Sequence, residues 1–473
     1  MLKRYGNFST RSLWPPLSQL QQGYVRFLRV SDVVVCCSDR RPNLSFLRCI
    51  SMQKRSWGVN HLKERVQSRV PIVYMQISNF FSGVSNAVVM ITIPWLMLEV
   101  SGSPAYAGLV MALAGVSSLI VAPFGGICIG RFGTKTVSMF ADLMSALSVL
   151  AFPLLALTGN LSPVAVLVFA LLGAIFDPLG YTARRTMLQP LAERTNVDIH
   201  RLNGIHEGMQ GTSWVVGPAV GAFFIALVGA ANSFWIVSVF FLIAALSAAF
   251  LRDSDLRTSF AEPAEKASTF SDLTLGFRRL WSDSFLRTLL LAVLVLAAIY
   301  LPTESIILPT YYESKSQPLD LGIVISVLAA GSTISSFAYG WLLAKMGSKT
   351  LIRVTFIGAS LGTLGMAFLP PIRLMLLFAL ILGFSWGPFT PYLISKIQMR
   401  FPPHEHPMVF SAQTSVFYAA PPIGMLLVGF GVEKIGLSPT YYVLAITMLL
   451  VSVLALVSTP IRTESEVNRA TND

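Results

Sequence analysis

Three carboxyl groups sit inside long apolar runs of this chain: Asp142 in FADLMSAL, Asp177 in AIFDPLGY and Glu304 in LPTESIILP. A charge in such a run is costly unless it is paired or neutralised. A carboxyl buried without a cation favours its protonated form, so loading and unloading a proton is chemistry it can do. Glu304 has no basic residue in its own run and lies between Pro302 and Pro309. Asp177 is followed two turns later by Arg184, and Asn203, His206 and Glu207 occupy positions i, i+3 and i+4 on one face of the next run. The short connection between these runs brings Asp177 and Arg184 alongside that face, so an Arg–acid cluster is expected. Such a cluster can be a static brace or a moving, coupling element. The candidate proton carriers are therefore Glu304, Asp142, Asp177 and Glu207.

Enzymatic chemistry finds no support. His206-Glu207 lacks the second histidine of a zinc-protease helix, and there is no Gly-rich phosphate loop, so work must draw on an ion gradient and not on ATP. Cys36, Cys37, Cys49 and Cys128 have no metal-ligand spacing and no readable disulfide framework. No cofactor or metal is expected.

Other polar and aromatic residues are candidates for binding. Asn79, Ser82 and Asn86 form one stripe at helical spacing, which either lines a cavity or ties helices together. A later run, GFSWGPFTPYLIS, is interrupted by Gly383, Gly387, Pro388 and Pro391, and broken helices at membrane depth accompany transporter sites. Trp386, Phe389 and Tyr392 there, with Tyr418 from the following run, could offer aromatic surface to an apolar cation. Core packing would use the same residues.

The elements that must position these residues are membrane helices. The chain has 473 residues, 54% hydrophobic and only 12% charged, where a soluble domain carries about 25%. Its apolar residues come in blocks of about 20 or more, enough to cross a hydrocarbon core. Twelve spans are expected, near 70–98, 105–129, 136–158, 163–187, 203–229, 232–251, 286–311, 319–344, 350–369, 372–398, 407–431 and 439–460. The fold class is thus an all-α polytopic membrane protein. Its parts are a basic segment 1–69, a six-helix half 70–251, a central loop 252–285, a second half 286–460 and a tail 461–473. Residues 1–51 read as an Arg-rich targeting peptide or as sequence upstream of a start at Met52.

Net charge is +12, but residues 1–69 hold 13 Lys/Arg against 3 acids and supply most of it. That distribution fits membrane flanks and speaks against a nucleic-acid partner. With the N-terminus inside, only Lys315, Arg373 and Lys434 fall in outer loops, which places both termini in the cytoplasm of a cell-membrane protein.

One pattern occurs twice. GICIGRFGTKT spans Gly126 to Thr136, and GWLLAKMGSKT spans Gly340 to Thr350, 214 residues further on. Each follows the second span of a half. Gly126, Arg131, Gly133 and Lys135, with Gly340, Lys345, Gly347 and Lys349 in the copy, resemble the loop signature of major facilitator transporters. In that family the signature gates the conformational change. The family's acid is absent, replaced by Gly130 and Ala344. The resemblance implies twelve helices in two parallel six-helix repeats, with a cavity between the halves and alternating access.

Finer likenesses point to exporters. The first span resembles that of macrolide, tetracycline and siderophore efflux pumps, with Ser85-Asn86 where members read Gly-Asp. Asp142 matches a third-helix acid, with Ser145 in place of a following arginine. Asp177, Arg184, Asn203, His206 and Glu207 match the fourth and fifth helices of an actinobacterial-type subset. Gly217, Pro218 and Gly221 resemble the Gly-Pro-x-x-Gly mark of drug–proton antiporters, though close helix packing would also select them. The implied function is proton-coupled efflux of hydrophobic or amphipathic compounds by a monomer. Its implied partners are a small-molecule substrate, protons and the lipid bilayer. A siderophore or metabolite exporter is the alternative within transport, and a receptor or chaperone on a degenerate transporter fold the alternative outside it.

Overall fold

The computed structural model describes residues 27–30, 33–36, 70–121, 124–252, 256, 270–402 and 405–458. Within the unit Met1–Gln67, Phe27–Val30 (β1) and Val33–Cys36 (β2) pair antiparallel, with Phe27 opposite Cys36. The rest of segment 1–69, the loop between 257 and 269 and the tail 461–473 lie outside the described residues.

The unit Ser68–Asp473 is helical. In a bilayer the backbone must satisfy its own hydrogen bonds, which drives every apolar run into helix. The first six spans are built from α1 (Val70–Ser101), α2 (Pro104–Val121), α3 (Phe124–Phe132), α4 (Thr134–Leu157), α5 (Pro163–Thr186), α6 (Leu188–Thr195), α7 (Ile199–Val228) and α8 (Ala230–Ala249). Then follow α9 (Phe270–Ser282), α10 (Ser284–Pro302), a π-helical turn (Thr303–Ile307) and α11 (Leu308–Glu313). The chain closes with α12 (Pro318–Phe337), α13 (Tyr339–Ala367), α14 (Ile372–Trp386), α15 (Phe389–Arg400), α16 (His406–Ile435) and α17 (Leu437–Val457).

Eleven described helical stretches are long and apolar enough to cross a membrane, and the 30-residue α16 falls on the remaining expected span. Span seven runs from α10 through the π turn into α11, and span ten breaks at Gly387–Pro388 between α14 and α15. Several helix starts are capped by side chains. Ser162 accepts from the Ala165 amide, Asp198 from Arg201 and Asp283 from Leu286.

The packing repeats between halves. In the first half α4 lies against α5 and α8, α1 against α7 and α8, and α2 against α5. In the second, α13 lies against α14 and α17, α10 against α16 and α17, and α12 against α14. The halves meet through α2 on α16 and through its counterpart, α12 on α7. The basic turns repeat too. Gly133 (φ 82°) and Gly347 (φ 73°), 214 residues apart, both adopt the left-handed region that only glycine enters without strain. Gly102 and Ser316, at the same separation, mark the opposite end of the bundle. Phe152, Phe234 and Phe241 in one half and Phe356 and Tyr441 in the other are fully buried. Leu157, Leu227 and Leu454 face outward, as lipid-facing positions do.

Candidate functional site

The strongest polar feature is a ring of three side chains from three helices of the first half. Arg184 Nη1, on α5, donates to both oxygens of Asp142 on α4, at 3.0 and 2.9 Å. Arg184 Nη2 donates to Ser82 Oγ on α1 at 2.8 Å, and Ser82 Oγ donates to Asp142 Oδ1 at 2.8 Å. The Arg and Asp side chains are 4% and 3% exposed. Two charges so far from water hold only because each finds charge-assisted bonds in return. The sequence places Asp177 and Glu207 as the acids of Arg184. The structure assigns Asp142 instead, because α4 packs along α5 and brings that carboxyl level with the guanidinium.

One turn up α1, Asn86 Nδ2 donates to Asp177 Oδ1 at 2.5 Å. No Lys, Arg or His lies within ion-pair distance of Asp177 among the described residues. This pair sits in the wall between two cavities. The smaller one, about 210 Å³, is lined by Asn86, Asp177 and Trp214 with an apolar set that includes Met90, Met111 and Phe152. The larger one, about 500 Å³, shares Asn86, Asp177, Ser118 and Trp214 and runs past Tyr181 and Thr182 to Arg184, toward the Gly133 end of α5. Both are walled by residues of the first half.

The other predicted residues separate. Glu207 is half-exposed and meets Arg185, not Arg184, at 3.3 Å. Asn203 is exposed. His206 is buried and both ring nitrogens lack a hydrogen-bond partner among the described residues, while its carbonyl accepts from Asn79 Nδ2 at 3.2 Å. Asn79 therefore ties α1 to α7, and Asn86 lines both cavities. The i, i+3, i+4 face is real as spacing, but the helix turns it so that His206 points inward and its two neighbours outward.

Glu304 is the second residue of the π turn, buried, with the Tyr300 hydroxyl as its side-chain hydrogen-bonding neighbour and no ion pair among the described residues. Tyr300 stacks on Trp386 of α14, centroids 4.3 Å apart and planes 6° apart, and Trp386 meets Phe389 edge-on at 5.3 Å. Phe389 and Tyr392 are buried, and Tyr392 shares a hydrogen bond with Ser348 at 3.0 Å. Among the cavities described above, none is lined by Trp386, Phe389 or Tyr392. The side chain of Tyr418 lies outside the described residues.

Gly217, Pro218 and Gly221 form a helix junction. A Cβ on Gly217 would overlap the Ala87 side chain and press the Val84 carbonyl at 3.1 Å, and Gly221 faces Val88 and Ile91. The close approach of α7 to α1 requires the missing side chain. The basic turns lie at the Gly133 end. The Arg131 guanidinium is 5.4 Å from the Phe132 ring and the Lys345 ammonium 4.9 Å from Trp341. Neither they nor Lys135 and Lys349 pair with an acid among the described residues. Gly126 and Gly340 lie in the helices that lead into the turns.

At the opposite end the halves are fastened. Ser103 Oγ donates to the Glu433 carboxylate of α16, and the Ala105 amide, in the first turn of α2, donates to the same oxygen at 3.3 Å. Glu433 thus caps α2 from the other half. Arg185, Trp214, Tyr300 and the Ser103–Glu433 pair are the partners that no sequence motif picks out.

The Major Facilitator Superfamily profile matches residues 75–420. The multidrug efflux pump Tap of Mycolicibacterium fortuitum is 33% identical over 392 residues, 82% of this chain and 95% of that protein. The pump of the same name in Mycobacterium tuberculosis is 30% identical over 395 residues, 83% of this chain and 94% of its own. The crystal structure of the nucleoside transporter NupG superposes with a TM-score of 0.69 at 13% identity, covering 82% of this chain and 98% of that one. A bacterial homolog of the human lysosomal transporter Spinster, in an inward-facing and unoccupied conformation, superposes with a TM-score of 0.63 at 13% identity, over 85% and 97%. With two packed repeats, paired glycine turns and a profile match over most of its length, the chain belongs to the Major Facilitator Superfamily.

Proposed function

We propose that this protein exports hydrophobic or amphipathic compounds of the antibiotic type in exchange for protons, with Asp177 as the carboxyl that proton and substrate use in turn. One observation carries the reading. Asp177 faces both cavities, is held by the neutral Asn86 and has no ion pair among the described residues. A carboxyl that lines a cavity and is locked in no direct ion pair is free to exchange partners. Asp142, locked to Arg184, is not. The mostly apolar wall around Met90, Met111, Phe152 and Trp214 suits a lipophilic molecule. The relatives named multidrug efflux pumps support the direction of transport.

The Lys/Arg distribution puts the Gly133 end in the cytoplasm. On that orientation the larger cavity reaches toward the cytoplasm, and the Ser103–Glu433 fastening closes the outer end. Rocking of the halves would break that fastening, close the Gly133–Gly347 end and turn Asp177 outward. A second reading gives proton carriage to Glu304, which is buried without a cation at the one π turn described.

Cells expressing the full chain should accumulate less ethidium than cells without it, and a protonophore should erase the difference. Equal accumulation in both, across ethidium and a panel of antibiotics, would contradict the export reading.

A further inference from the structure

We propose that the aromatic–arginine face of α9 is a binding site for the headgroup of an anionic phospholipid. This helix ends at Ser282, one residue before α10 enters the membrane, and Asp283 between them caps α10. Chain connectivity therefore holds α9 at the membrane edge. One side of it, Gly276 and Leu280, is buried against the protein, whereas Leu275, Phe277 and Trp281 are exposed. Phe277 and Trp281, one turn apart, stack with centroids 5.8 Å apart and planes 14° apart. With Arg278 and Ser282 they line a shallow, open cleft.

Charge decides which lipid the cleft fits. The two acids described nearby are already taken, Glu405 by Arg279 at 2.9 Å and Asp283 by Arg400 at 2.6 Å. Arg278 pairs with no acid among the described residues, and Arg287 Nη1 donates to the Trp281 carbonyl at 3.1 Å, placing a second cation beside the cleft. An aromatic pair favours the level between acyl chains and headgroups, and an adjacent guanidinium offers a phosphate a planar set of donors. The Ser282 hydroxyl also lies at this rim, but its proton is donated to the Arg279 carbonyl at 2.7 Å, which leaves the phosphate to the guanidinium. A zwitterionic headgroup presents its own cation to Arg278 and loses the advantage. A headgroup with net negative charge keeps it.

The test uses the full chain in bilayers of phosphatidylcholine that contain brominated phosphatidylglycerol or, separately, brominated phosphatidylcholine at the same fraction. Subtracting the fluorescence of Trp281→Phe isolates the signal of Trp281 from the other tryptophans. Brominated phosphatidylglycerol should quench that signal preferentially. Arg278→Gln should lower the apparent preference about fivefold, the factor one basic residue is worth at an anionic surface, and Arg278→Lys should retain most of it. Inorganic phosphate in solution should not compete. Equal quenching by the two lipids, or a preference untouched by Arg278→Gln, overturns the proposal. So does the absence of quenching by either lipid, which would mean that protein covers this face, and so does loss of the preference on adding phosphate.

Discussion

Arg184 and Asp142 are almost wholly buried, joined by bonds of 2.9 and 3.0 Å, and Ser82 completes the ring from a third helix. Removing one member leaves the other charge buried alone, the costly case for an ion pair. Arg184→Ala should destabilise the protein by about 3–5 kcal/mol, read as a lower unfolding midpoint in detergent. Replacing both residues, as Arg184→Met with Asp142→Leu, should recover part of that loss. A single variant as stable as the parent would mean the pair is solvated.

The Ser103–Glu433 fastening gives a prediction about states and not about stability. Glu433→Ala removes the cap on α2 and should shift the balance toward the state open at the Gly102 end. The shift should be about 1 kcal/mol, roughly fivefold in the ratio of the two states. Spin labels across the α2–α16 seam would report it as a growing long-distance population. An unchanged distance distribution would show that the cap does not hold the halves.

Packing at the α1–α7 crossing leaves no room for a side chain at Gly217. Gly217→Val should cost about 1–3 kcal/mol through overpacking, and Ala87→Gly should relieve part of it in the same chain. Additive effects of the two changes would argue against direct contact.

The spans and their repeat were legible in the sequence because a membrane permits little but apolar helix, and because the Gly133 and Gly347 turns carry the same residues. Span ten's break at Gly387–Pro388 was legible for the same reason, the local cost of proline and glycine in a helix. Partner choice was not. Whether Arg184 meets Asp142, Asp177 or Glu207 depends on how far each helix is rotated and on which neighbour it packs against. The i, i+3, i+4 rule places Asn203, His206 and Glu207 on one side without saying which of them points inward. Likewise Trp386 reads equally as cavity wall or core until its stacking on Tyr300 is seen.

Glu304 allows a separation of roles by charge alone. Glu304→Gln keeps the hydrogen-bonding shape beside Tyr300 and cannot titrate. If Glu304 only clasps α10 to its neighbours, the variant should transport against a gradient within about twofold of the parent, the scale of a substitution that changes little else. Loss of uphill transport with substrate binding intact would move proton carriage from Asp177 to Glu304.

Asp177→Asn in proteoliposomes is the most direct measurement, since it keeps the Asn86 contact possible while removing the titrating group. With a pH gradient imposed, the variant should fail to concentrate ethidium. It should still exchange labelled for unlabelled ethidium across the membrane at equal concentrations, with weaker affinity because the carboxylate contact is lost. That exchange needs rocking of the halves but no net proton, and the apolar wall remains. Asp177→Glu should restore part of the uphill movement. A purified Asp177→Asn protein that concentrates ethidium as well as the parent would contradict the assignment of proton and substrate exchange to Asp177.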